Sequence, residues 1–353
     1  MKETKRTIAV IFGGCSPEYG VSLESAYAVI KNMDQEHYRP VPVGISRTGS
    51  WFYFTGSTEK IKADTWYNEE DCIPALLSPN RGAKRLLLLQ GEPAFLSVDA
   101  VFPVLHGKNG EDGTVQGLIE LADLPLIGCG VLASALCMDK DRAHKMVRAA
   151  GIQTPKGLVL EKTCLKKPES SKHLECLIEE IGYPLYVKPV KAGSSFGVTK
   201  VWESDKLKEA IAQAFAYDSQ IIVEEHIEGF EVGCAVLGKE ELIVGEIDEI
   251  ELEKGFFDFT EKYTLQTSAI HVPARISHKK AEELKETAKQ IYRVLGCSGF
   301  ARVDMFLTPA GDIVFNEVNT IPGFTEHSRY PGMMKAAGYD FRELLEMLCR
   351  QAI

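Results

Sequence analysis

Residues 299–320 read "GFARVDMFLTPAGDIVFNEVNT". Two apolar runs rich in β-branched and aromatic residues flank Ala310-Gly311, the pattern of two strands joined by a short turn. Alternate side chains of a strand share a face, so Arg302 and Asp304 project together, as do Glu317 and Asn319. Antiparallel pairing of the two runs brings Asp304, Glu317 and Asn319 onto one face. Three oxygen-bearing groups there suit Mg²⁺, a hard cation that also takes phosphate oxygens. The bland alternative is a solvated polar face. Arg302 beside Asp304 weighs against it, because the face then carries both signs.

The chain has 353 residues, 45% apolar and 25% charged, enough for two or three domains with their own cores. A net charge of -10 argues against a nucleic-acid surface, so an anionic ligand must be held by a local cluster of positive groups. No apolar run reaches the ~20 residues that span a bilayer, and no membrane partner is expected. "MKETKRTIAVIFGG" is too short in apolar residues for a secretory segment and reads as a first buried strand. The nine cysteines are scattered, odd in number and without a CxxC pair, as expected of reduced thiols in a cytoplasmic protein.

Strand and helix alternate at the start, through "TIAVIF", "VSLESAYAVIKNM" and "YRPVPVGIS", and again through "VDAVFPVLHG", "DGTVQGLIELA" and "LPLIGCG". That alternation predicts a parallel α/β sheet over residues 1–128. "SALCMDKDRAHKMVRAAG" then reads as one helix, and "YPLYVKPVKAGSSFGVTKVW" as two strands about a glycine-serine turn. "QIIVEEHIEG", "FEVGCAVLG" and "ELIVGEIDEI" read as successive antiparallel strands, followed by the helix "KKAEELKETAKQIYRVLG". Two α+β lobes are expected, over 129–225 and 226–353.

In the turn, Gly193 and Gly197 bracket Ser194 and Ser195, and backbone N–H groups there can wrap an anion within reach of Lys188. The letters also match G-x-S-x-G, but that elbow needs a helix after the serine, and "GVTKVW" is strand-like. No G-x-x-x-x-G-K-[ST] occurs, which removes a P-loop. Lys140, Glu224 and Glu231 would each, alone, pass as surface residues. His106 and Glu18 follow buried strands, at the edge of a parallel sheet where ligands usually sit, and together they make a candidate site.

In order along the chain, "GGCSPEYGVSLESA", "HGKNGEDGTVQG", "ALCMDKDRAHK", "YVKPVKAGSSFG", "EKY", "ARVDMF" and "NEVNTIPGFTEHS" resemble the D-alanine–D-alanine ligases. The resemblance runs nearly end to end. It implies an ATP-grasp fold with an N-terminal Rossmann-like α/β domain, and ligation through a D-alanyl phosphate at the expense of ATP. It assigns Lys140, Lys188 and Ser195 to the ATP phosphates, Glu224 to the adenine amine and Glu231 to the ribose. Asp304, Glu317 and Asn319 would hold two Mg²⁺ ions, with Mn²⁺ a substitute. Glu18 would take the first D-alanine's ammonium with His106 nearby. Arg302 and the Gly323 N–H would meet the oxyanion, and Ser328 the second substrate's carboxylate. A mobile loop at about 251–269 would bring Lys262 to the phosphoryl group and Tyr263 to Glu18 and Ser194. A homodimer is the family expectation.

Two positions depart from the common pattern. Gly20 stands where a glutamate is usual, which removes no direct ligand. Arg329 stands where leucine or methionine usually packs near the second D-alanine, and its donors suit a hydroxyl. In this, and in "EKYTL" and "HSRYP", the chain resembles the G-type D-alanine–D-serine ligases of vancomycin resistance. D-serine is therefore the expected second substrate, with D-alanine the alternative. D-lactate is not expected, because the lactate-using branch lacks the "EKY" loop. The alternative for Arg329 is exposure to solvent or a pair with an acid such as Glu326. A nucleotide-binding protein without turnover is disfavoured by the retained set from Lys140 to Asn319.

Overall fold

A computed structural model describes residues 5–92, 94–163, 168–193, 196–252 and 268–353. Its first strand, β1 (Arg6–Gly13), is buried along most of its length and feeds two cores. Ile8, Val10 and Phe12 join the apolar cluster under the helices Tyr19–Asn32 and Phe341–Ala352. Ala9 and Ile11 point the other way, into a cluster with the helix Thr114–Leu121. A continuous run such as "IAVIF" is the pattern of a strand covered on both faces.

β1 pairs in parallel with β2 (Tyr38–Ile45), and on its other edge with the strand Ala100–Pro103, as the alternation predicts. Beyond β2 the sheet departs from that expectation. β3 (Trp51–Phe54), β4 (Cys72–Leu77), β5 (Arg85–Leu88) and β6 (Ala94–Ser97) extend it antiparallel, and Ala100–Pro103 is β7. The cause is local. Ser46 N–H donates to the Ser50 carbonyl at 2.8 Å, and Gly49 lies at φ +90, so the chain reverses tightly with no room for a crossover helix. "LPLIGCG" supplies a single bridge from Leu126 to Val101 in place of the expected strand.

The predicted helix over "SALCMDKDRAHKMVRAAG" is two, Val131–Met138 and Lys140–Ala149. Asp139 leaves helical geometry between them and caps the second, accepting from the Arg142 N–H at 3.1 Å. A four-stranded antiparallel sheet follows, built from β8 (Gly157–Glu161), β9 (Leu185–Pro189), β10 (Thr199–Val201) and β11 (Gln220–Glu225) in the order β10-β9-β11-β8. The helices Pro168–Ile181 and Ser204–Ala214 supply its core.

After Glu225 the chain crosses to a third sheet, so "QIIVEE" and "FEVGCAVLG" do not pair with each other. That sheet holds β12 (Phe230–Gly238), β13 (Leu242–Val244), β14 (Asp248–Leu252), β15 (Ser268–His271), β16 (Phe300–Leu307) and β17 (Ile313–Asn319). The helix His278–Val294 packs on it through Leu284, Ala288 and Ile291. Among the described residues no helix is long and apolar enough to cross a membrane, and the eight described cysteines are free.

Candidate active site

The hairpin β16–β17 pairs Arg302 with Asn319 and Asp304 with Glu317, so all four side chains project from one face, as their spacing predicts. Arg302 grips Asp304 with its fork, Nε to Oδ1 and Nη2 to Oδ2, both at 2.7 Å. The Asn319 amide donates to Asp304 Oδ2 at 2.8 Å. Glu317 faces the Lys140 ammonium at 3.5 Å. Lys140 opens its helix immediately after the Asp139 cap and also donates to the Ala192 carbonyl at 2.8 Å. It thereby ties the glycine turn to the hairpin.

Lys140 and Glu317 border a cleft of about 400 Å³ between the second and third sheets, lined also by Lys188, Glu224 and Glu231. Lys188 on β9 and Glu224 on β11 are buried and form an ion pair through Glu224 Oε1. Burial works against the Lys188 ammonium, but the Glu224 charge and hydrogen bond, together with Glu317 and Tyr186, outweigh it and hold the pKa above its ordinary value. The other oxygen, Glu224 Oε2, is buried with no hydrogen-bond partner among the described residues. An unmet buried acceptor costs ~1–3 kcal/mol, so the wall of the cleft is incomplete without a donor.

At the other end of the site, Glu18 is buried just before the helix Tyr19–Asn32. Its Oε2 lies 2.3 Å from where a Cβ on Gly107 would stand and 3.0 Å from one on Gly193. The loops after β1, β7 and β9 therefore converge there. His106 is buried, with Nδ1 donating to the Ile321 carbonyl at 2.8 Å and Nε2 3.3 Å from Ser25 Oγ. Burial pushes its pKa down to about 4, so the imidazole is neutral near pH 7. Gly323 and Ser328 share the loop after β17. Ser328 Oγ lies 3.1 Å from the place of a Gly323 Cβ and accepts the Thr325 N–H at 3.1 Å.

Arg329 differs from its sequence expectation of donors held out to a substrate. The guanidinium is buried and meets Asp248 through Nε at 2.7 Å and Nη2 at 2.8 Å, and Glu231 through Nη1 at 3.0 Å. Asp304 lies 3.5 Å from its Nη2. Glu326 is not among these partners. Gly233 makes the arrangement possible: a Cβ there would fall 2.5 Å from Arg329 Nη2 and 2.6 Å from Asp248 Oδ1. Ser194, Ser195, Lys262 and Tyr263 lie outside the described residues.

A family model described as D-ala D-ala ligase N-terminus matches residues 7–129, and one described as D-ala D-ala ligase C-terminus matches 146–350. The chain belongs to the D-alanine–D-alanine ligase family. A crystal structure of the VanG D-Ala:D-Ser ligase from Enterococcus faecalis superposes on it with a TM-score of 0.91. That match is 54% identical and covers 99% of this chain and 100% of the other. The ligase is also 42% identical to the Vancomycin C-type resistance protein VanC1 of Enterococcus gallinarum, over 97% of each chain. It is likewise 42% identical to a D-alanine–D-alanine ligase of Caldicellulosiruptor bescii, over 99% of this chain and 96% of that one.

It is thus an ATP-dependent ligase with the ATP-grasp fold, of a family that uses ATP and a divalent metal. The residues of the cleft and the adjoining hairpin fit both. Glu224 Oε2 awaits a donor such as an adenine amine, and two lysine ammonium groups share the walls. Asp304, Glu317 and Asn319 present hard oxygen atoms side by side, of the kind a divalent cation takes, and Arg302 and Lys140 lie against the two acids. The third member is an amide, and among the described residues no cluster of three His, Cys, Asp or Glu side chains forms a metal cage.

Four buried carboxylates, Glu111, Asp139, Asp248 and Glu249, were not singled out from the sequence. Asp248 had little signal: it opens β14, whose residues "DEIEL" include two further acids, Glu249 and Glu251, and nothing local marks it out from them. Glu111 had none beyond its place in a glycine-rich helix entry, where an acid is ordinary.

Proposed function

We propose that the ligase joins D-alanine to D-serine. ATP phosphorylates the first D-alanine's carboxylate and leaves as ADP. The D-serine amine then attacks the acyl carbon, the oxyanion collapses and phosphate departs. The product would supply altered peptidoglycan precursors of the kind tied to vancomycin resistance. The observation that carries D-serine is the Arg329–Asp248 pair, a polar assembly buried where the family's pattern has an apolar side chain. Nη1 carries two hydrogens and gives one to Glu231, which leaves the second for a hydroxyl oxygen. A site with such a donor discriminates against a substrate lacking the hydroxyl. The likeness to the VanG D-Ala:D-Ser ligase supports the same reading.

Within this scheme Lys140, Lys188 and Ser195 hold the phosphates, Glu224 Oε2 accepts from the adenine amine and Glu231 meets the ribose. Asp304, Glu317 and Asn319 would hold two Mg²⁺ ions, or Mn²⁺ in their place. When bound, the metal neutralises charge on the transferring phosphoryl group. Glu18 takes the first ammonium, and neutral His106 lies beside it. Arg302 and the Gly323 N–H stabilise the oxyanion, while Ser328 grips the second carboxylate. Lys262 and Tyr263 close the site against water. A homodimer in the cytoplasm belongs to the same proposal.

The test is competition at pH 7 with ATP, Mg²⁺ and equal D-alanine and D-serine, the products separated by mass. D-alanyl-D-serine in excess is the expected result. D-alanyl-D-alanine in excess makes the chain a ligase of ordinary peptidoglycan synthesis.

A further inference from the structure

Glu111 has no part in the scheme above, yet its surroundings are those of a built joint. It lies between β7 and the helix Thr114–Leu121, buried to 8% exposure. Its two oxygens serve different ends of the chain. Oε2 accepts the Gly107 N–H at 2.9 Å, and Oε1 accepts the Ile321 N–H at 3.0 Å, 210 residues away. His106 adds a second link to the same residue, donating to the Ile321 carbonyl. Both backbone polar groups of Ile321 are thus held by the 106–111 loop. Gly107, at φ +73, sits between two acids: Glu18 abuts its α-carbon and Glu111 takes its N–H.

We propose that Glu111 is a positioning residue that fastens the loop beside Glu18 to the Ile321–Gly323 segment, so that both halves of the acyl-transfer site are held as one unit. The inference rests on the roles proposed above for Glu18 and Gly323. Two acceptor oxygens are required, because each of the two N–H donors needs its own. A carboxylate meets both, whereas an amide presents one oxygen and one NH₂ group. Burial, and next the charge of Glu18, push the Glu111 pKa up to about 8. An ammonium arriving at Glu18 favours the ionised carboxylate, whose charge strengthens both hydrogen bonds. The joint therefore tightens when the first substrate is seated.

If the joint is loosened, the acyl phosphate still forms, but the oxyanion donors are displaced from the carbon under attack. Water then competes with the second amine, returning D-alanine and phosphate. ADP is made without dipeptide. The readout is the ratio of ADP to dipeptide, with separate KM values for ATP and for D-alanine at its first site.

In the wild-type ligase one ADP accompanies each dipeptide. Glu111→Gln, and Glu111→Asp, which keeps the charge but is a methylene too short to reach both donors, should raise that ratio well above one. Dipeptide formation should fall about 10- to 100-fold, the usual penalty for a misplacement near 1 Å, with the ATP KM unchanged. Either variant suffices if the other fails to fold. Normal coupling and an unchanged D-alanine KM in a folded variant overturn the inference. So does a parallel loss in ATP KM, which marks general damage. A wild-type chain that makes no D-alanyl dipeptide sinks the proposed function itself, and this inference with it.

Discussion

Arg329→Met is the natural probe of second-substrate choice, but the structure predicts that it reports on stability first. Asp248 is fully buried, and once the guanidinium is gone it keeps, among the described residues, the Gly233 N–H at 2.7 Å. Stranding one member of a buried pair costs ~3–5 kcal/mol. Asp304 is spared, because Arg302 still grips both of its oxygens. At about 2–4 °C per kcal/mol, the thermal midpoint should fall by on the order of 10 °C. Adding Asp248→Asn removes the stranded charge and should restore more than half of the loss. Selectivity is then read in the double variant. A hydrogen bond from a charged donor is worth ~1.5–3 kcal/mol, so the ratio of D-alanyl-D-serine to D-alanyl-D-alanine should drop about 10- to 150-fold. Thermal unfolding and mass-resolved competition measure both quantities. A single variant as stable as the wild type refutes the buried-pair reasoning, and a double variant that still prefers D-serine refutes Arg329 as the hydroxyl's partner.

Glu224→Gln swaps one oxygen for a donor, which must face either Lys188 or the incoming adenine amine. The ATP KM should rise ~10-fold or more with little change in the D-alanine KM, and equal effects on both would contradict the assignment. Gly107→Ala forces a Cβ to 2.3 Å from Glu18 Oε2 at φ +73. It should cost ~1–3 kcal/mol in backbone strain and weaken D-alanine binding, and an unaltered thermal midpoint and KM would show that the loop has slack. Stability should also vary with pH in a signed way. His106 is depressed from 6.5 to about 4, so its contribution is lost as pH falls through that window. Glu111 is raised from 4.5 to about 8, so its contribution is lost as pH rises. The two oppose each other below pH 6.5. Between 6.5 and 8 the Glu111 share remains, about 2 kcal/mol, and Glu111→Gln should flatten the slope of unfolding free energy there.

The hairpin bearing Asp304, Glu317 and Asn319 was legible because period-two alternation and a glycine turn are local properties. Lys140 was legible as a residue, but its setting was not. A run of good helix formers hid the break at Asp139, which shows only once Asp139 is seen capping the next helix. The antiparallel extension of the first sheet was missed for a related reason: "WFYF" and "CIPALL" are too short for periodicity to separate from loop. The environment of Arg329 depends on Asp248 and Glu231, 81 and 98 residues away in sequence, with space provided by Gly233. No local pattern encodes such a meeting. Glu111 is the limiting case, since both of its partners are backbone N–H groups, which every sequence offers everywhere.

The cluster that buries Ile8, Val10 and Phe12 also contains Leu344, Leu345, Leu348 and Cys349. During synthesis, then, the first sheet leaves the ribosome with this face covered by the helix Tyr19–Asn32 and must wait for almost the whole chain before the helix Phe341–Ala352 completes the cover. Deleting residues 341–352 would injure the oldest part of the nascent protein as well as the lobe beside them in sequence, since Phe300, Tyr330 and Met333 share the cluster. The second and third sheets, made in between, can begin to pack while that early face is still only partly covered.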